Sequence, residues 1–139
     1  MILKRINNVR ELDTLLPLLK NGCCMTNSSY SFMGFIGYLA MAVASQNCLI
    51  IVAYEEDKPM GYVIAQITAH YYELECDILD LNIDNIEDME VKQDAFEEII
   101  EWAQEKKAKR IIARTPLPDI MERYFGFTNT KLCYIIKEI

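Results

Sequence analysis

Residues 71–84 read "YYELECDILDLNID", and the phase of this run decides the fold. Leu74, Cys76 and Ile78 alternate with Glu73, Glu75 and Asp77, whereas Leu79, Leu81 and Ile83 alternate with Asp80 and Asn82. Side chains of a regular strand change face with period two, so a single face cannot hold both apolar sets. Two readings fit. A β-bulge near Ile78–Leu79 adds one residue, restores one apolar face and bends the strand. Alternatively, the strand ends in a stretch buried on both faces.

Upstream, "CLIIVAY" reads as a buried strand and "YVIAQITAH" as its partner, joined by "EEDKPMG" with Asp57, Pro59 and Gly61 as turn residues. Residues 48–70 therefore form a hairpin. Downstream, Phe96, Ile99, Ile100 and Ala103, widened by Ala95 and Trp102, predict an amphipathic helix whose Glu97, Glu98, Glu101 and Glu105 face water. Acids crowd its first half and "KKAKR" closes it, as the helix dipole favours. "RIIAR" is a short strand, "TPLPDIMERYFGF" a turn and short helix ended by Gly126, and "KLCYIIKEI" a last strand.

At the N-terminus, "ILKRI" is a first strand, and Asn7 or Asn8 caps a helix through "VRELDTLLPLLKN". Val9, Leu12, Leu15, Leu16 and Leu19 share its apolar stripe, and Pro17 bends or shortens it. A second helix spans about Ser28 to Ser45, capped by Ser28 or Ser29. It is apolar nearly all round, which requires burial on most sides or a covering partner. Phe32, Ile36, Leu39 and Val43 share the expected buried face. Phe35, Tyr38 and Met41 lie elsewhere, so self-association or a protein partner is expected on the 28–45 helix.

The 139 residues suit one domain, spanning 1–139, and a 52% apolar, 25% charged composition is that of a globular protein. A net charge of -7 argues against nucleic acid or anionic membrane as partner. Five cysteines without a C-x-x-C pair, and one histidine, read as reduced thiols in a cytoplasmic protein with no metal site. The charged N-terminus has no signal-peptide pattern, and the apolar run Phe32–Ala44 falls short of the ~20 residues of a membrane span.

The element order β-α-α-β-β-β-α-β-α-β, carried by "IIVAYEEDKPMGYVIAQI", "EEIIEWAQEKKAKRII" and "ERYFGF…CYIIKEI", resembles the GNAT acetyltransferase superfamily over nearly the whole chain. Within it, the chain looks like the divergent GNAT-like proteins often encoded by bacteriophages, which would place it in host cytoplasm or virion. The resemblance implies an α/β acyl-CoA N-acyltransferase fold: a mixed, mostly antiparallel sheet with a bulged central strand, flanked by helices. It also implies an acetyl-CoA site in the splay beside the bulge, with the pyrophosphate on amides at the start of the next helix. Glycines and a basic residue suit that place, since they admit the phosphate to the helix N-terminus.

The equivalent loop here is Glu87-Asp88-Met89-Glu90-Val91-Lys92. Glu87 stands at the basic position and Asp88, Glu90 and Lys92 at glycine positions. These acids either cap the helix, with Asp84 and Glu87 as an acidic analogue of a capping box, or form an acidic binding face. Both readings disfavour ordinary CoA binding. If acetyl-CoA binds, the resemblance places it on Met89, Glu90, Val91 and Lys92, with Thr115 beside the pantetheine unless Thr115 only caps the next helix. The family's tyrosine, which protonates the departing thiolate, is replaced by Glu122, and Tyr124 lies half a turn away as packing or surface. Candidate bases are Asp77 and Asp80, with Glu75, set against the ordinary reading of solvated strand polars; His70 reads as a surface residue.

Three functions remain open. One is a GNAT-fold protein with a degenerate acetyl-CoA site, needing no cofactor and acting by protein binding in a phage structural or host-modulating role. Another is an active N-acetyltransferase moving an acetyl group from acetyl-CoA to an amine. The third, an acidic mimic of nucleic acid, is weakened by the modest charge.

Overall fold

The computed structural model describes residues 1–22, 32–83, 85–113, 118–131 and 137. Among them, five strands form one sheet in the order β1-β2-β3-β4-β5: Ile2–Arg5, Cys48–Glu55, Lys58–His70, Glu73–Asn82 and Ile111–Ala113. Neighbours are antiparallel except β4 and β5, which are parallel. Parallel strands need a long crossover. It is supplied by α3, Met89–Glu105. The other helices are α1 (Leu16–Gly22), α2 (Phe32–Ser45) and α4 (Pro118–Phe125), with a 3-10 helix over Val9–Leu15 leading into α1. The predicted last strand and most of the predicted start of the second helix lie outside the described residues.

Alternation along the strands sends side chains to two cores, one on each face. On the α3 face Leu49, Ile51, Val63, Ala65, Cys76 and Ile78 meet Ala95, Phe96, Ile99, Trp102 and Ala103 of α3 and Met121 of α4. On the other face Ile50, Val52, Tyr62 and Ile64 meet Leu12, Leu15 and Leu19 and then Leu39 and Val43 of α2. Phe32 and Ile36, expected to be buried with them, pack there while staying partly accessible. Ile100, expected on the buried stripe of α3, is exposed instead. It sits one residue past Ile99, and a 100° step takes it to the rim.

The turns are tighter than the sequence suggests. Glu55 pairs with Lys58 and His70 with Glu73, so each hairpin closes through two residues, Glu56-Asp57 and Tyr71-Tyr72, all four at positive φ. Pro59 and Gly61, read as turn punctuation, belong to β3. Pro59 lies where the β2–β3 register shifts, a place that tolerates a missing N–H. Gly61 is required by contact, because a Cβ there would lie 2.5 Å from the Asn82 carbonyl oxygen and 2.9 Å from Ile86 Cδ1. Pro17 neither bends nor ends a helix: it occupies the first turn of α1, after the 3-10 segment, where no intrahelical N–H is lost. The 3-10 helix is capped by Asn8, whose side chain accepts the Glu11 amide.

Candidate functional site

The bulge lies in β4. Ile64 pairs with Asp80 but Ala65 with Ile78, leaving Leu79 without a partner. The extra residue turns two successive side chains to the same face. Leu79 packs with the α1–α2 core and Asp80 receives a hydrogen bond from Tyr62 of that core, whereas Ile78 and Leu81 join the α3 core. This resolves the phase change in the sequence in favour of a bulge. Parallel pairing with β5 is described over Cys76–Ile78 and Ile111–Ala113, the last pair directly before the bulge.

The bulge and the alternation before it set Glu75, Asp77 and Asp80 along one face. The expectation that these strand acids are solvated fails for two of them: Glu75 and Asp80 are each 5% exposed. Asp80 accepts the Tyr62 hydroxyl at 2.7 Å on one oxygen and the Leu81 amide at 2.9 Å on the other. Burial pushes its carboxyl above the usual aspartate range, and the two hydrogen bonds partly oppose this. Asp77 accepts the Thr68 hydroxyl at 3.0 Å. Glu75 is held at 3.4 Å by Arg110, whose guanidinium also binds Glu73. Tyr38 of α2 is near enough to Asp77 to feel its charge. Its hydroxyl is shifted upward by burial, with Cys48 and Asp77 adding to the effect. Burial also raises the thiols of Cys48, to about 11, and Cys76, to about 12, so both remain protonated at neutral pH.

The other predicted residues stand apart from this row. Glu90, Val91 and Lys92 continue the first turn of α3 from Met89, and Asp88 is the N-cap, its Oδ1 accepting the Glu90 amide at 2.9 Å. The cap is thus Asp88, where the sequence suggests the pair Asp84 and Glu87; Asp84 lies outside the described residues, as does Thr115. Glu122 is on α4, exposed, and its Oε1 accepts the Asn129 amide at 2.8 Å. It fixes the chain leaving the helix, where Gly126 at φ 70 lets the Phe127 amide return to the Met121 carbonyl. That is a helix-ending turn suited to glycine. Phe125 and Phe127 then pack on Phe96, which accounts for the "GF" pair structurally. Tyr124 is exposed and His70 stacks edge-on against Tyr71 at the hairpin tip.

Tyr62, Thr68 and Tyr38 were not predicted for the site. Alternation along "YVIAQIT" places Tyr62, Ile64, Gln66 and Thr68 on one face, but only the register with β4 shows which acids they meet. Among the described residues, no group of three or more His, Cys, Asp and Glu is placed to hold a metal ion. None of the described helices is long and apolar enough to cross a membrane.

No family model and no curated protein matches the chain. Solved structures do. The apo aminoglycoside 6'-N-acetyltransferase AAC(6')-Ig of Acinetobacter haemolyticus is 18% identical over 100% of this chain and 99% of its own, with a TM-score of 0.78. A predicted acetyltransferase of Clostridium acetobutylicum, solved with acetyl-CoA, is 10% identical over 98% and 95%, at 0.79. Glucosamine-6-phosphate N-acetyltransferase of Arabidopsis thaliana is 12% identical over 99% of both chains, at 0.73. The chain has the fold of the GNAT acetyltransferases from end to end, with the mixed sheet and bulged fourth strand that the sequence led us to expect.

Proposed function

We propose that this GNAT-fold protein has a degenerate acetyl-CoA site and acts by binding another protein. The observation that supports this reading is at the start of α3, where Asp88 takes a first-turn amide for itself. Those amides are the groups that a diphosphate needs. Glu87 and Glu90 add charge of the wrong sign, and the sequence has no glycine between Gly61 and Gly126 to bring backbone close to phosphate. An aspartate cap stabilises a helix by about 1 kcal/mol. The acidic turn therefore serves the fold while repelling the ligand. Titration calorimetry with acetyl-CoA tests the reading. The native chain is expected to give no binding heat at millimolar ligand, and binding at ~1–10 µM, about 7–8 kcal/mol, would overturn it.

A second reading, an active N-acetyltransferase with an atypical cofactor loop, is favoured by one feature. Asp80 is a buried carboxyl with a raised affinity for protons, set at the bulge where the fold's chemistry is expected. In that reading Asp80 or Asp77 draws a proton from the amine as the acetyl group passes to nitrogen and the CoA thiolate leaves; Glu122, an acid for that thiolate only if buried, is exposed on α4 and holds the Asn129 amide. Amine acetylation by the native chain, lost in Asp80→Asn, would establish it.

A further inference from the structure

We infer that the outer edge of β1 docks an extended basic segment of another protein, which pairs antiparallel with β1 and sets alternate Lys or Arg side chains against α3. This deepens the binding reading above, on which it rests, by naming a surface and the chemistry of its partner; peptide binding and acetyl-CoA affinity are read in separate titrations, so either can fail alone. β1 pairs with β2 on one side, and among the described residues no strand pairs with it on the other. In an antiparallel ladder, opposed residues alternate between pairs that exchange both backbone hydrogen bonds and pairs that exchange none. The Ile6 amide bonds the Ile50 carbonyl, and the register continues through Lys4 with Val52 and Ile2 with Tyr54. Those residues bond inward, so the N–H and C=O groups of Leu3 and Arg5 point away from β2. Asn7 Nδ2 reaches the Arg5 carbonyl at 3.5 Å, a long contact that an incoming amide can replace.

The side chains of the same two residues lie on the α3 face. Leu3 packs on the α3 core and, with Met1, Val91, Asp94, Glu97, Glu98 and Glu101, lines a groove of about 390 Å³. Val91, Asp94, Glu98 and Glu101 stand three or four residues apart, so they form one stripe of α3. Two observations select the occupant. The first is register. Residues opposed across a ladder share a face, so a strand bonded to Leu3 and Arg5 projects every second side chain into the groove, ~7 Å apart. The second is charge. Arg5 shows that a cation on this face reaches the stripe, its Nε lying 3.0 Å from Glu98 Oε2. No ion pair among the described residues joins Asp94, Glu97 or Glu101. Lys4, whose charge would oppose a basic strand, is on the other face over the Tyr54 ring. Long basic side chains also suit the groove because their stems cover Met1 and Leu3 while their charges meet the acids. A second copy fits poorly. Two β1 edges joined about a two-fold axis bring both α3 stripes to the same side of the sheet, acid against acid.

The probe is a short capped peptide alternating Lys and Val, titrated into the full chain by fluorescence anisotropy at low salt. The contact is below the size of a standard interface, so a dissociation constant of ~10–500 µM is expected. The same peptide with Glu for Lys should not bind at ~1 mM. Asp94→Lys with Glu101→Lys should weaken binding at least tenfold while leaving the circular dichroism spectrum unchanged. In the antiparallel arrangement the Lys amides face β1 and the Val amides face outward. N-methylation of the Lys amides should therefore abolish binding, and N-methylation of the Val amides should leave it unchanged. Hydrogen exchange at the Leu3 and Arg5 amides should slow at least tenfold in the saturated complex. No binding of the Lys–Val peptide at ~1 mM overturns the inference, as does binding indifferent to the two lysine substitutions. Binding indifferent to both methylations overturns it too, since charge alone would then hold a polycation. Loss on methylating Val instead of Lys would overturn the antiparallel arrangement. A chain that dimerises, with the Leu3 and Arg5 amides protected before peptide is added, would replace the basic segment by a second copy.

Discussion

At the residue scale, Asp80 and Gly61 show how much one position can decide. The Asp80 carboxyl binds its proton more tightly in the folded chain than in the unfolded one, because burial disfavours the charge more than Tyr62 and Leu81 stabilise it. The folded state therefore holds the extra proton. Its contribution to stability is present at acid pH and is lost as pH rises from the ordinary aspartate range through the raised value, at up to about 1.4 kcal/mol per pH unit. Asp80→Asn removes this dependence while keeping an acceptor for the Leu81 amide. The difference in urea midpoint between native and variant chains should move in the variant's favour as pH rises, and movement in the opposite direction would mean that Asp80 is ionised in a compensating environment. Gly61 is simpler. The nearest obstacle to a Cβ is the Asn82 carbonyl, which is backbone and cannot swing aside. Gly61→Ala should destabilise by about 1–3 kcal/mol, the usual cost of overpacking, read from thermal or urea unfolding. Neither effect could be seen in the sequence, where Asp80 looks like a solvent-facing strand acid and Gly61 like a turn.

At the scale of elements, what the sequence revealed was whatever periodicity controls. The phase change in "LECDILDLNI" located the bulge because a strand with one buried face cannot change phase without an extra residue. The acidic run marked the region where α3 starts, but the cap is Asp88, four residues after the Asp84 that a capping box with Glu87 implied. What stayed hidden was backbone conformation. A two-residue hairpin loop takes a turn with positive φ at both positions, for which Asn-Gly is the strong signal. Here Glu56-Asp57 and Tyr71-Tyr72 adopt it instead, at φ 48 and 66 and at φ 46 and 74. Left-handed backbone costs a residue with a Cβ about 1 kcal/mol, so replacing Tyr71-Tyr72 by Asn-Gly should raise stability by about 1–2 kcal/mol. Both tyrosines are exposed, and little packing is lost in the exchange. Calorimetric unfolding checks this, and a lower melting temperature would show that the two rings hold the tip through the His70 contact. The α3 start permits a similar exchange. Glu87→Arg with Asp88→Gly and Glu90→Gly should lower helix stability by about 1 kcal/mol, mostly through glycine inside the first turn, since glycine at the cap costs only a few tenths. The same variant should gain measurable acetyl-CoA binding, whereas Glu122→Tyr alone should gain none, since a proton donor serves a step that follows binding.

For the whole molecule, the balance of charge against packing decides the response to salt. The formal charge is -7, and Asp94, Glu97, Glu98 and Glu101 of α3 line one groove with Met1, Leu3 and Val91 beside β1. Arg5 offsets Glu98 at 3.0 Å, and Arg110 offsets Glu73 and Glu75. The Arg5 and Glu73 contacts join side chains that are all about a third or more exposed, and pairs of that kind contribute ~0–1 kcal/mol each. Salt weakens them, which lowers stability slightly. It also screens the repulsion spread over the unpaired acids, since the screening length falls from about 30 Å at 0.01 M to about 3 Å at 1 M. The repulsive contribution is the larger, because the acids outnumber the bases by 21 to 14 and the Arg5 pair offsets Glu98 alone of the four carboxylates that line the α3 groove. Raising sodium chloride from ~0.01 to ~0.5 M should therefore raise the melting temperature by a few degrees, on the order of 1 kcal/mol for a domain of this size. Glu97→Lys and Glu101→Lys together should give much of the same gain at low salt and reduce its further rise with salt. A melting temperature that falls with salt would show that the Arg5 and Arg110 pairs outweigh the acidic repulsion.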